Sequence, residues 1–289
     1  MKLVLLPIHS DFAGFAQLTQ LHARIRDVHF ETVELDMGGA TWFDANMCAP
    51  FGAVLYKTSR NLNTVKLENL TPAVKSILSK NGFLMNYGVA KSTDVYKTTI
   101  EYKRFEAKDE RYFAAYIEQH LVGKGMPKMS IGLQKKFRES IFEILSNAVI
   151  HAETKLGIFA CGQFFPTSRR LDFSIADLGV GMKDNIKKKR GLDLTPEAAI
   201  KWATEGNNTT KTGNIPGGLG LKLLRDFVAL NKGRIQIVSD AGYWELANGA
   251  VTTKRFEQPF PGTVVNLEIK TADRRSYCLQ SEKNLDNIF

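Results

Sequence analysis

The stretch FRESIFEILSNAVIHAE, residues 137–153, carries a carboxylate, an amide and an imidazole at Glu143, Asn147 and His151, each four residues after the last. Successive residues of an α-helix turn by about 100°, so Asn147 falls about 40° and His151 about 80° from Glu143, on one side. Ile141, Phe142, Ile144, Leu145, Ala148, Val149 and Ala152 fill the opposite arc, which is wide enough to bury against a core. Only Ile150 intrudes among the polar residues. Taken alone, the run is equally an amphipathic helix with a wet side, and the residues downstream must decide.

Three further elements follow it in order. Asp177-Leu178-Gly179-Val180-Gly181 comes directly after the strand-like LDFSIA. A carboxylate at a strand end, followed by glycines that permit close approach, can accept from an exocyclic amine such as that of adenine. Gly217-Gly218-Leu219-Gly220-Leu221 opens the periodic LKLLRDFVAL. Glycines at a helix start leave its first N–H groups and the positive end of its dipole available to phosphates, with Lys222 close by. A dinucleotide fingerprint does not fit, because these glycines follow the polar GNNTTKTGNIP rather than a strand, and no Gly-Lys-Ser/Thr supports a phosphate loop of the Walker type. Gly262-Thr263 heads the strand-like TVVNLEI, where a threonine hydroxyl can bridge a water to Asp177 and a base. Each element alone also reads as an ordinary turn or helix start.

The bulk numbers narrow the class without choosing it. A chain of 289 residues with 44% hydrophobic and 24% charged residues suits one large or two ordinary globular domains. Cys48, Cys161 and Cys278 are scattered and odd in number, which favours a reducing compartment. They form no metal-ligand pattern with the five histidines. The apolar run in MKLVLLPIH is too short for a secretory leader, and no stretch reaches membrane-span length, so the expected location is cytoplasmic with no membrane partner. A net charge of +9 favours acidic partners.

Residues 1–88 alternate strand-like and helix-like segments: KLVLLPI, FETVELDM, NTVKLENL and GFLMNY as strands; FAQLTQLHARI, FDANMCAPFGAVLYKTSRNL and PAVKSILSK as helices. That alternation predicts a small α/β domain. The polar 89–97 reads as a linker, 98–272 as a second α/β domain and 273–289 as a polar tail. In the second domain TTIEYKRF, 156–164, 170–176, 233–239 and 263–269 read as strands, with helices over KDERYFAAYIEQHL, around Glu143 and from about 220. The segment from 183 to 217 reads as polar and Gly-rich.

The sequence E-x-x-x-N-A-x-x-H, then DxGxG, then GGLGL, then GT, over roughly 120 residues, closely resembles the GHKL ATPase superfamily of gyrases, heat-shock chaperones, MutL-type repair proteins, histidine kinases and anti-sigma kinases. The resemblance implies a Bergerat-type α/β two-layer sandwich holding Mg²⁺-ATP. It makes Glu143 the general base, Asn147 the Mg²⁺ ligand and His151 a phosphate contact. Asp177 would take the adenine amine, with Gly179 and Gly181 allowing its approach and Thr263 completing the pocket through water. Gly218, Gly220 and Leu221 would hold phosphates beneath a lid formed by 183–217. VELDMGGATWFDANMCAPFGAVLY resembles the strand-loop-helix core of STAS domains, although Asp44-Ala45-Asn46-Met47 lacks the hydroxyl that a regulatory phosphoserine turn needs.

Those resemblances imply an ATPase or ATP-driven switch coupled to a STAS-like interaction domain. The alternatives are a serine/threonine protein kinase of the anti-sigma type acting on a separate partner, and a scaffold that binds ATP without hydrolysing it. A protein partner is expected through the STAS-like half or the basic run Lys187, Lys188, Lys189 and Arg190. Nucleic acid is disfavoured, since no aromatic residues interleave that run. Oligomeric state is left open.

Overall fold

The computed structural model describes residues 1–106, 108–121, 124–150, 156–205, 208 and 219–283. The protein is mixed α/β. Its first part runs β1 (Lys2–Val4), α1 (Phe12–Ile25), β2 (Thr32–Asp36), α2 (Cys48–Arg60), β3 (Thr64–Glu68) and α3 (Pro72–Lys80). The strands pair in parallel in the order β1-β2-β3, and parallel neighbours require crossover helices of this kind. Asp11 starts α1 by accepting from Gly14 N at 2.9 Å, an N-cap bond that satisfies one of the helix's orphan donors. The segment GFLMNY, expected as a strand, is a 3₁₀ turn over Phe83–Tyr87. Gly82 and Gly88 on either side have φ of 81° and 77°, which an extended strand does not accommodate.

The second part runs β4 (Thr99–Phe105), α4 (Glu110–Leu121), β5 (Lys128–Met129), α5 (Ile131–Ile150), β6 (Ile158–Phe165), β7 (Arg170–Asp177), α6 (Met182–Arg190), α7 (Pro196–Thr204), α8 (Leu219–Asn231), β8 (Arg234–Ala247), β9 (Ala250–Lys270) and β10 (Ser276–Tyr277). Five strands form an antiparallel sheet in the order β4-β6-β7-β9-β8. Strand β10 pairs with β5 ahead of α5, and Tyr277 is buried there. Strands β8 and β9 extend well beyond the 233–239 and 263–269 expected from sequence, forming a long hairpin that turns at Asn248-Gly249, with φ of 52° and 79°.

Alternation along the strands sorts the five-stranded sheet into two buried faces. Ile158 and Ala160, Leu171, Phe173 and Ile175, Ile235 and Ile237, and Val265, Leu267 and Ile269 pack with Ile141, Leu145, Leu224 and Val228 from α5 and α8. Phe159, Cys161, Ala176, Val238 and Val264 face the other way. They join Phe15, Leu18, Phe51 and Val54 from α1 and α2 in a core shared by both parts of the chain. The layers therefore run from the three-stranded sheet, through α1 and α2, to the five-stranded sheet and then α4, α5 and α8. No helix among the described residues is long and apolar enough to cross a membrane.

Candidate functional site

Strand β7 ends at Asp177, which is only 6% exposed. Its Oδ1 accepts from Gly179 N at 2.8 Å, and the carboxylate also accepts the backbone N–H of Thr263, its cross-strand partner on β9. Burial pushes its pKa up to about 7, against the downward pull of those two N–H groups. Desolvation of the charged form outweighs the hydrogen bonds. Gly262 allows the strands to approach here: a Cβ at that position would lie 2.8 Å from Asp177 C and 2.9 Å from Leu178 Cα, inside any real contact distance.

Thr263 Oγ1 lies 3.0 Å from the Oγ of Ser239 on β8, and Ser239 Oγ accepts from Met182 N at 2.9 Å. Ser239 therefore joins the Asp177–Thr263 end of the sheet to the first turn of α6. Sequence motifs did not single it out, and only the cross-strand register Ser239↔Thr263 brings it in. Gly181 sits at the N-cap of α6, 3.2 Å from Ser239 Oγ at its would-be Cβ.

Helix α5 supplies the second group of residues. Glu143 Oε2 accepts from Gly220 N at 2.7 Å, so a carboxylate faces the start of α8. An N-terminal N–H of a helix favours an anionic acceptor. A side chain at 220 would overlap the Glu143 carboxylate, so glycine lets α8 approach α5 this closely. Glu143, Gly220 and Lys222 line one open groove of about 900 Å³, together with Glu139, Ser140 and Asp226. Asn147, one turn along α5, is half-buried, whereas Leu221 is buried in the core beneath α8.

The site residues thus fall into two groups, Asp177 with Gly179 and Thr263, and Glu143 with Gly220. His151 and Gly218 lie outside the described residues. Among the described residues no group of three or more His, Cys, Asp or Glu is arranged to hold a metal ion. A Mg²⁺ ion here would rest on Asn147 together with phosphate oxygens and water, a donor set this ion commonly accepts.

The polar, Gly-rich segment 183–217 holds most of α6 and all of α7 in its described part. Thr195 caps α7 by accepting from Ala198 N, and Pro196 occupies its first turn, where a missing N–H costs nothing. Arg255 on β9 grips Glu197 with two bonds of 2.6 and 2.7 Å. The run Lys187–Arg190 is exposed on the last turn of α6, with Lys187 3.2 Å from Asp193.

A polar layer lies on the opposite face of the same strands, where the turn Asp44-Ala45-Asn46-Met47 docks fully buried. Asp44 accepts from Ser10 N at 2.7 Å and from Trp42 Nε1 at 2.9 Å. Asp172 on β7 is 1% exposed, and neither carboxylate oxygen makes a hydrogen bond. Arg170 Nε stands 3.2 Å from it, close enough to pair but poorly aligned. Burial raises the pKa of Asp172 to about 7, with the Arg170 charge opposing.

No protein-family model matches this chain, and no curated protein matches it.

Proposed function

We propose that the chain binds Mg²⁺-ATP in a GHKL-type site and works as an ATPase or ATP-driven switch attached to a STAS-like module. The observation that carries this reading is Asp177, a carboxylate buried at the end of a central strand and held by two backbone N–H groups. A buried acceptor that is kept despite its desolvation cost suits a ligand that brings its own donor. The adenine amine is such a donor, and a guanine carbonyl would oppose it.

The surroundings support the same reading. Glu143 reaches the start of α8 and holds its Gly220 N–H, so phosphates drawn to this helix start would lie beside a carboxylate that can orient water against a terminal phosphate. Asn147 follows one turn later. Helices α6 and α7, joined to Thr263 through Ser239 and to β9 through Arg255, would serve as the nucleotide-responsive cover. The parallel β1-β2-β3 sheet with its crossover helices supports the STAS-like reading of the first part.

Nucleotide binding and phosphate release with Mg²⁺ test this on wild type, Glu143→Gln and Asp177→Asn. Wild type should bind and hydrolyse ATP. Glu143→Gln should bind with turnover reduced by about 10²-fold or more, and Asp177→Asn should lose adenine preference. Binding without phosphate release would move the reading to a protein substrate or a nucleotide-gated switch. Absence of adenine-nucleotide binding would overturn it.

A further inference from the structure

The strand ends that face the proposed adenine are held from behind by the N-terminal part of the chain. Asp177, Thr263 and Ser239 form one cross-strand row, through the registers Asp177↔Thr263 and Ser239↔Thr263. Three residues along the same strands, Ser174, Asn266 and Gln236 form a second row, through Ser174↔Asn266 and Gln236↔Asn266. An odd separation puts the two rows on opposite faces of the sheet.

The second row is fully buried, and residues far away in sequence satisfy it. Asn46 Nδ2 lies 2.9 Å from Ser10 Oγ, 3.2 Å from Ser174 Oγ and 2.8 Å from Asn266 Oδ1. Asn266 Nδ2 donates to Ser10 Oγ at 2.9 Å and to Gln236 Oε1 at 2.6 Å. Gln236 Nε2 donates to the Ser10 carbonyl at 3.1 Å. Two residues from the N-terminal part thus touch all three strands whose ends carry Asp177, Thr263 and Ser239. Apolar packing tolerates small slips between layers, whereas a connected set of buried hydrogen bonds fixes one relative placement.

We propose that Asn46 is a positioning residue for nucleotide recognition, holding β7 and β9 from behind so that Asp177 and Thr263 keep the spacing that reads adenine. This rests on the reading of Asp177 and Thr263 as the adenine site. It gives the N-terminal module a role in cis: the placement of its Asn46 turn sets nucleotide affinity, and nucleotide in return tightens that turn, because coupling between sites is reciprocal.

The test compares the full chain with Asn46→Asp, which keeps the shape but breaks the donor set: ionised, it sets an acceptor against Asn266 Oδ1, and neutral, it offers one O–H where the amide offers two N–H bonds. Affinities for a non-hydrolysable ATP analogue and its GTP counterpart are measured with Mg²⁺. The variant should bind the ATP analogue at least about fivefold more weakly, the lower end of ordinary coupling, and should prefer adenine less. Tyr56→Ala loosens α2 from Phe159, whose ring lies 5.6 Å away, without touching either row. It should lower thermal stability and leave affinity unchanged.

On wild type, amide exchange over residues 44–48 should slow when the ATP analogue saturates the protein. This arm decides the matter if Asn46→Asp does not fold. Wild-type affinity and selectivity in a folded Asn46→Asp, or unchanged exchange at 44–48 in saturated wild type, would overturn the positioning role while leaving the nucleotide site standing. Failure of wild type to bind the analogue would overturn the site itself and this role with it.

Discussion

Adenine-nucleotide affinity should depend on pH through Asp177, and the size of the effect follows from its burial. Its carboxyl titrates near 7 in the folded chain against an ordinary value of 3.8. A base amine donates best to the ionised form, so binding must draw on that form. At pH 5.5 roughly 3% of such a group is ionised, and at pH 8 about 90%, so affinity should rise by about 30-fold between them and level off above pH 7. Stability of the nucleotide-free protein moves the other way. Between about pH 4 and 7 the folded chain holds a proton the unfolded chain has lost, so stability falls as pH rises through that window.

Calorimetric titration with a non-hydrolysable ATP analogue from pH 5.5 to 8 measures the affinity. The phosphates titrate in part of this range, so the quantity to follow is the affinity ratio of wild type to Asp177→Asn, in which the ligand's own titration cancels. The ratio should climb towards pH 7 and then flatten. Binding near pH 6.5 should also release roughly three-quarters of a proton more in wild type than in the variant. A ratio that is flat across the window, or that rises towards acid, would refute the assignment of Asp177 as acceptor for the base.

Two further predictions concern the sheet around that residue. Gly262→Ala would force β9 away from the Asp177 backbone; it should cost roughly 1–3 kcal/mol in denaturant unfolding and abolish adenine binding, and wild-type values for both would show that the close approach is unimportant. Asp172, buried with its pKa raised to about 7, carries a linkage on the order of 4 kcal/mol when fully ionised. Asp172→Asn should therefore flatten the fall in stability between pH 4 and 7 and match or exceed wild type at pH 8, as read by urea midpoints; an unchanged pH slope would mean that Asp172 titrates alike in the folded and unfolded chain.

Much of the framework was legible because periodicity survives when an element faces one core. Helix α5 shows its apolar arc directly, and β7 could be located because LDFSIA ends at Asp177 and glycines follow. Helix α6 leaves no apolar period, because few of its positions are apolar and only Ile186 is buried, whereas α7 is mostly apolar but only nine residues long. The start signals of α7 are local and present, in the Thr195 cap and Pro196. The long β8–β9 hairpin was cut short at 239, where Asp240 at φ 53° and two register shifts break the alternation. Asn248-Gly249 was the available signal for its tip, since both residues can take the positive φ that a tight hairpin turn demands.

The polar layer was illegible for a different reason. Asp172 and Ser174 on β7, Gln236 on β8 and Asn266 on β9 alternate with apolar residues, which by the usual rule marks a face turned to water. The fold buries that face, and it can do so at Ser174, Gln236 and Asn266 because Ser10 and Asn46 arrive from positions 128 to 256 residues away to satisfy those three side chains. A single strand carries no trace of such distant partners. The same fact changes how the first part of the chain should be seen. Read alone it resembles a free interaction module, yet the α1–α2 side of that module is buried on the sheet in a core common to both parts. A protein partner would therefore meet the outer surface of β1-β2-β3 or the exposed basic turn of α6, and whatever it displaced there would reach the candidate adenine site through Asn46 or Ser239.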